Sequence, residues 1–441
     1  MKKCYYLFGA LAITVMVGCS SDEVVQQQTP ESLQTKHAIT ISPTSVGATR
    51  SQVFNSTSDL TSFMVIALTE GIVKVGDKFW IAGNEKPFPG TVDEPAGSPY
   101  ADQFGATGIQ EVVYSNKGWN FRDGETRYWA YRENRNTNNE VESYSCLPMT
   151  FRAYTPTNLN TAYAGEKGAA AFLMTGSSLQ GDFVYNGTVS GNVVTPFAPV
   201  PVSQMQDICF AEKRNATSAD GAVKLEFKHA FSQIVFAAMK TSNYEVDIKA
   251  IEIGGMKYAG CMHFANFALD DKWNGDMAGD LTYYPGFASL TPISLTSAAD
   301  EKPVQLTEVG QELILMPQEV TAWAPGVGKP AKNASGTPAG GYVAVTFRYR
   351  LAGTSEWITG GGAADGYETT YFPLKALWKK GKKYVYTLLF GGADNGTNGD
   401  PENPDPGSGY DENGTPKAPS VAITFTPTVS EWVTTTVNVK Q

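Results

Sequence analysis

From Val223 to His229 the chain alternates strictly, with Val223, Leu225, Phe227 and His229 on one side and Lys224, Glu226 and Lys228 on the other. Period two belongs to a strand with one face in a core and the other in water, and a helix has no use for it. β-prone runs precede this stretch at Phe63–Leu68, Phe79–Ile81, Glu111–Tyr114, Arg127–Tyr131 and Phe151–Thr155, the last stopped by Pro156. Others follow at Gln233–Met239, Val246–Ile253, Glu312–Met316, Tyr342–Arg350, Thr369–Phe372 and Lys383–Phe390. Gly, Pro, Asn and Asp separate the runs, and long helical periods are scarce. Short strands between turn signals predict an all-β sandwich architecture rather than an α/β fold. With 441 residues the chain exceeds what one core usually organises, so two domains are expected. Their predicted bounds are residues 51–220 and 221–390.

Composition narrows the function. Hydrophobic content of 42% with 12% aromatics is that of a globular protein. A net charge of −10 without a clustered Lys/Arg patch argues against a nucleic-acid partner. No GxSxG, HExxH or GxxxxGK[ST] motif occurs, so neither an enzyme nor a cofactor is expected. His229 lies on the apolar face of its strand and reads as a buried, hydrogen-bonded core histidine with no partner constellation apparent. Cys146, Cys209 and Cys261 are far apart and lack CxxC spacing. Free buried thiols are therefore expected, rather than a metal site or a disulfide framework. Trp119, Tyr128 and Trp129 suit either sugar stacking or core packing.

The two ends carry the remaining signals. Lys2 and Lys3 precede the apolar run Tyr5–Val17, which is too short for a stable membrane span. It closes on Gly18-Cys19, an arrangement that resembles the lipobox of bacterial lipoproteins and marks residues 1–18 as a signal and Cys19 as the acylated residue. Several acyl chains at about 0.8 kcal/mol per buried CH₂ would hold the protein on a membrane. Val24–Lys36 is polar and Gln-rich, a tether. "AITISPT" at Ala38–Thr44 then reappears as "AITFTPT" at Ala422–Thr428. Between the body and the second copy, residues 391–420 are rich in Gly, Asn, Asp and Pro. They read as a flexible linker with an average span of roughly 30 Å. The spacing Asp394-x-Gly396-x-Asn398-x-Asp400 within it is better explained as solvated linker than as a calcium loop. The tail alternates through Val421, Ile423, Phe425, Pro427, Val429, Glu431, Val433, Thr435, Val437 and Val439. One strand of that length would run about 60 Å, so a break at Pro427 or at Glu431-Trp432 is expected, giving two strands. These either fold back on their own domain as edge strands or pair with another molecule by strand addition.

Several motifs together carry a resemblance. The lipobox, Thr49-Arg50-Ser51, Tyr128-Trp129, Phe151-Arg152-Ala153-Tyr154-Thr155-Pro156 and Leu225-x-Phe227-x-His229-Ala230-Phe231-Ser232-Gln233-Ile234-x-Phe236 are similar to those of the fimbrillin family of Bacteroidetes, the subunits of type V pili. The resemblance implies two transthyretin-like β-sandwich domains in tandem, export as an outer-membrane lipoprotein and surface display in a fimbrium. It also implies cleavage between Arg50 and Ser51 by a trypsin-like protease. On that reading the strand around Ala38, Ile39 and Ile41 is released, and Val421, Ile423, Phe425, Val429, Val433, Val437 and Val439 form a donor strand for the next pilin subunit. A chain with such a donor fits the stalk of the fibre. The alternative is an outer-surface lipoprotein that binds glycans and does not polymerise.

Overall fold

A computed structural model of the chain describes residues 27–28, 38–44, 60–69, 78–79, most of 110–157, short stretches between 171 and 205, 207–263, 277–278, 281–283, 292–307, 312–324, 340–358, 365–391, 410–411, 415 and 423–431. The protein is all-β, its strands interrupted by 3-10 turns such as Ser218–Asp220 and Ala298–Glu301. Two large hydrophobic cores organise the described residues, beside a small cluster around Trp323 and Tyr342.

The first core is built by β1 (Ile41–Thr44), β2 (Ser62–Thr69), β3 (Gln110–Ser115), β4 (Gly118–Phe121), β5 (Met149–Thr155), β6 (Cys209–Ala216), β7 (Val223–Glu226) and β8 (Lys228–His229). An antiparallel sheet runs in the order β8-β6-β5-β2-β3-β4, with Lys78–Phe79 added beside β2. Facing it is a parallel pair, β1 with β7, in which Ile41 lies opposite Val223 and Thr44 opposite Glu226. Phe63, Val65, Ala67, Phe151 and Ala153 from the sheet meet Ile39, Ile41, Val223 and Leu225 from the pair.

Residues just past the boundary expected at 220/221 pack in the first core. The alternation in Val223–His229 is real, with Val223, Leu225, Phe227 and His229 buried and Lys224, Glu226 and Lys228 exposed. Its apolar face closes the first core instead of opening a second. Alternation reveals that a face is buried but not which sheet it covers. The second core takes over at Ala230 and Phe231.

β5 is buried at every position. Its neighbours explain why. Phe151 and Ala153 enter the first core and Tyr154 the second, just as Cys209 and Ala211 of β6 face the first and Phe210 the second. The sheet is thus covered on both faces, and the two cores share its central strands. Arg152 and Glu212 sit directly opposite one another across β5 and β6, with Nε 3.0 Å from Oε1 and both side chains buried. Glu212 is also held by Arg214, whose Nε is 3.0 Å from Oε2, so the buried carboxylate is paired through both oxygens.

The second unit consists of β9 (Ser232–Lys240), β10 (Tyr244–Met256), β11 (Tyr342–Leu351), β12 (Glu368–Pro373), β13 (Lys382–Phe390) and β14 (Ile423–Glu431). One sheet holds Val304–Gln305, β9, β13 and β14 in that order, with Leu313–Leu315 also on β9. The other holds Leu281–Tyr283, β10, β11 and β12, with Ile293–Leu295 on β10. On β10 the inward residues change parity, from Val246 and Ile248 to Ile251 and Ile253. The ladder to β11 shifts between Ile248 and Ala250, leaving Lys249 as the extra residue of a bulge that resets the alternation. Asp182–Tyr185 pairs with Ala259–His263, so part of the stretch expected in the first domain joins the second. Tyr185 accordingly meets Phe231 edge-on at 4.9 Å in the second core.

Both polar connecting segments touch the body. Gln27–Gln28 of the tether pair with Tyr144 and Ser145. Within 391–420, Tyr410 exchanges two backbone hydrogen bonds with Tyr371, each 2.9 Å, and its ring meets Trp323 edge-on at 5.8 Å. The linker is therefore fastened partway along. Its Asp394–Asp400 stretch lies outside the described residues.

Candidate assembly site

The two copies of the repeated heptapeptide occupy different places. At the N-terminal copy, the Ile39 amide donates to the Arg127 carbonyl at 2.7 Å and the Val223 amide donates to the Thr40 carbonyl at 2.8 Å. Ile39, Ile41 and Pro43 are buried, whereas Ala38 and Thr40 are exposed. The first core thus takes alternate residues of this segment, as a strand requires.

Beside β1 lies a groove of about 430 Å³, lined by Ile39, Ile41, Val112, Trp119, Phe121 and Arg127 among others. Trp119 forms one wall, packed against Phe63 at 5.2 Å and Tyr114 at 5.3 Å. The Arg127 guanidinium, buried, pairs with Asp123 and lies 5.1 Å over the Phe121 ring. Apolar walls and a neutralised cation suit an apolar side chain better than a charged one.

The C-terminal copy lies in β14, which folds back onto its own unit. It pairs antiparallel with β13, Ile423 opposite Phe390, Phe425 opposite Leu388, Pro427 opposite Tyr386 and Val429 opposite Tyr384. Among the described strands β13 is its single neighbour, making β14 the sheet edge. Ile423 is buried in the second core, while Val429 at the far end is 43% exposed. The strand continues through Pro427, which an edge tolerates because its missing N–H faces away from the ladder. Of the two expected break points, the strand passes the first and ends at Glu431. Val421, Val433, Val437 and Val439 lie outside the described residues, as do Cys19, Arg50 and Ser51.

Elsewhere the fold assembles a group that spacing in sequence conceals. Cys209 opens β6 directly opposite His229 of β8, and Asp207 precedes them by one turn of the pleat. His229 Nδ1 is 2.7 Å from Asp207 Oδ2, Cys209 Sγ is 3.5 Å from the same oxygen, and Sγ and Nδ1 are 3.6 Å apart. Burial, and then the Asp207 carboxylate, push the Cys209 thiol well above its ordinary range. His229 is buried and hydrogen-bonded, as expected, yet it has the partners that the sequence did not disclose. The only available hint was that His229 and Cys209 both start or end a strand. Neither Cys146 nor Cys209 is disulfide-bonded, and Cys146 is half-buried with the Ser218 hydroxyl 3.4 Å from its sulfur. Trp129 is no platform for sugars, being 1% exposed and packed edge-on against Phe151 at 5.6 Å.

Comparison with known proteins follows the same line. The model of the fimbrillin-like family matches residues 101–405. A fimbrial protein from Bacteroides vulgatus is similar in structure at 11% identity, with 90% of this chain and 99% of that chain covered and a TM-score of 0.48. The tip fimbrial protein Mfa3 from Porphyromonas gingivalis, with a C-terminal truncation, gives 9% identity, 84% and 94% coverage and a TM-score of 0.27. A search of curated proteins finds no match. The family match runs from just before β3 to beyond β13, more than half of the chain, and on that ground the chain belongs to the fimbrillin-like family.

Proposed function

We propose that the chain is a structural subunit of a type V pilus, supporting adhesion as part of a surface fimbrium. In this reading it reaches the outer membrane as a lipoprotein acylated at Cys19, is cut between Arg50 and Ser51, and polymerises with other pilin subunits by exchange of strands. One observation carries the reading. Ile39 and Ile41 sit in the first core on a segment whose described ladder partner is the parallel β7, and Arg50 follows that segment closely in sequence.

Severing the chain there detaches the strand that covers Val223 and Leu225, leaving an open edge and an apolar slot. A donor from a neighbouring subunit restores the main-chain hydrogen bonds and refills the slot. Aligning Ala422–Thr428 on Ala38–Thr44 puts Ile423 at the place of Ile39, Phe425 at that of Ile41 and Pro427 at that of Pro43. The groove next to Ile41 offers room for the larger Phe425 ring. Before exchange, β14 is stored on its own β13, with Ile423 buried in the second core.

Deleting residues 421–441 tests the proposal. The truncated chain is expected to be exported and matured but to block fibre growth, and Arg50→Ala is expected to remain lipidated and monomeric. Fibres of ordinary length from either variant would refute the corresponding step.

A further inference from the structure

We propose that Asp207, Cys209 and His229 form a zinc site at the junction of the two cores. Ligand type comes first. Zinc takes thiolate sulfur at about 2.3 Å, imidazole nitrogen at about 2.0–2.1 Å and carboxylate oxygen at about 2.0–2.2 Å. Around a tetrahedral ion those lengths place sulfur roughly 3.5–3.6 Å from both the nitrogen and the oxygen. The observed separations are 3.6 Å from Cys209 Sγ to His229 Nδ1 and 3.5 Å from Sγ to Asp207 Oδ2. The third edge, 2.7 Å between Nδ1 and Oδ2, is that of a hydrogen bond. Rotation of the carboxylate about its Cα–Cβ and Cβ–Cγ bonds opens it to the tetrahedral value.

Charge and burial point the same way. All three side chains are at most 3% exposed, and Asp207 is wholly buried. Its second oxygen, Oδ1, is also buried and has no hydrogen-bonding partner among the described residues. A carboxylate oxygen so placed lacks the donors that would offset its loss of water, and a cation supplies that. One carboxylate and one thiolate neutralise a divalent ion, so the loaded site is uncharged with a neutral imidazole. On loading, the thiol proton leaves to solvent and Nδ1 presents its lone pair, the ring proton residing on Nε2. The fourth position falls to a water.

The place in the fold gives the ion a role. Cys209 and Phe227 belong to the first core, whereas Ile208, Phe210, Ala230 and Phe231 belong to the second. The three ligands come from the two chain passages that cross between them, at the entry to β6 and at the end of β8. A bound zinc would fasten those passages together and stiffen the junction through which load passes from one unit to the next.

The test uses the full-length chain, purified without chelator or added metal. Mass-spectrometric metal analysis is expected to find close to one zinc per chain. Stripping with a chelator should lower the thermal midpoint, and zinc chloride alone should restore it. Cobalt chloride in place of zinc should give the intense thiolate-to-cobalt absorption band. Cys209→Ser, which nearly preserves side-chain volume, should lose that band and weaken zinc binding by about 100-fold or more. Cys146→Ser should keep both, and His229→Gln serves as a second ligand variant. Absence of zinc together with no shift of the midpoint on adding it would overturn the proposal. So would a thiolate band that survives Cys209→Ser and disappears in Cys146→Ser.

Discussion

Cutting the chain after Arg50 has a consequence that follows from two side chains. Ile39 and Ile41 are 5% and 8% exposed in the first core. Burying each contributes about 1.5–3 kcal/mol, so the pair holds the N-terminal strand with about 3–6 kcal/mol. As long as the chain is intact, that energy only needs to offset the ordering of a tethered segment. Once severed, the strand is a separate molecule, and the same energy corresponds to a dissociation constant between roughly 6 mM and 40 μM. The loss of overall freedom on association weakens it further. At low micromolar protein the severed strand should therefore depart unaided. Limited digestion with a trypsin-like protease, followed by size exclusion and mass analysis of the protein peak, checks this directly. Urea unfolding adds a second measurement, with ¹⁹F-labelled tryptophan separating Trp129 of the first core from Trp378 of the second. The Trp129 transition should fall by about 3–6 kcal/mol, a large part of an ordinary domain's stability, and the Trp378 transition by less. If the released segment stays with the cut protein through the column, or the Trp129 transition does not move, then Ile39 and Ile41 are not what holds it.

Three further outcomes are expected. Leu225→Ala should weaken the Trp129 transition by about 2–5 kcal/mol while sparing the other, because Leu225 fills the first core although it lies beyond residue 220; matched urea melts decide it. Tyr410→Ala should leave the fold intact but speed hydrogen exchange at the Tyr371 amide, because the backbone bridge loses the ring that anchors it against Trp323. Partial burial alone would raise the Asp300 carboxyl, but hydrogen bonds from the Ser297 amide and hydroxyl and the Thr296 amide outweigh it and hold the pKa below the usual range. Its stabilising contribution is then present above the unfolded pKa of about 3.9 and fades as acid takes the pH down through the folded value. Asp300→Asn should flatten that part of an acid-unfolding curve.

Strands were legible in this sequence wherever alternation or a bounded apolar run marked them. Phe151–Thr155, stopped by Pro156, is strand β5 apart from its first two residues, and Lys383–Phe390 is β13 apart from one. What each strand faces was not legible. Val223–Phe227 looks the same from sequence whichever core it covers, and its assignment depends on a parallel pairing with residues almost two hundred positions earlier. The double burial of β5 likewise follows from the second unit lying against the back of its sheet. Asp207, Cys209 and His229 meet through antiparallel register, and register is a property of the pairing rather than of either segment. The two heptapeptides were visible at once, but their separate lodgings were not, because nearly identical patterns fit either sheet.

The position of β14 also bears on how it would come away under load. Nine successive residues of it pair with β13, along one edge only, and its last paired residue, Glu431, lies opposite Lys382 at the beginning of β13. A pull on the chain end beyond Glu431 bears on that pair first, then on the next, so the ladder opens like a zip. At any moment the resisting force is that of one or two pairs. A strand gripped on both sides and pulled along its length would have to break its whole ladder in shear. On the proposed exchange, the same nine-residue strand would be easy to withdraw from its store and, once enclosed between neighbours in a fibre and loaded lengthwise, hard to pull free.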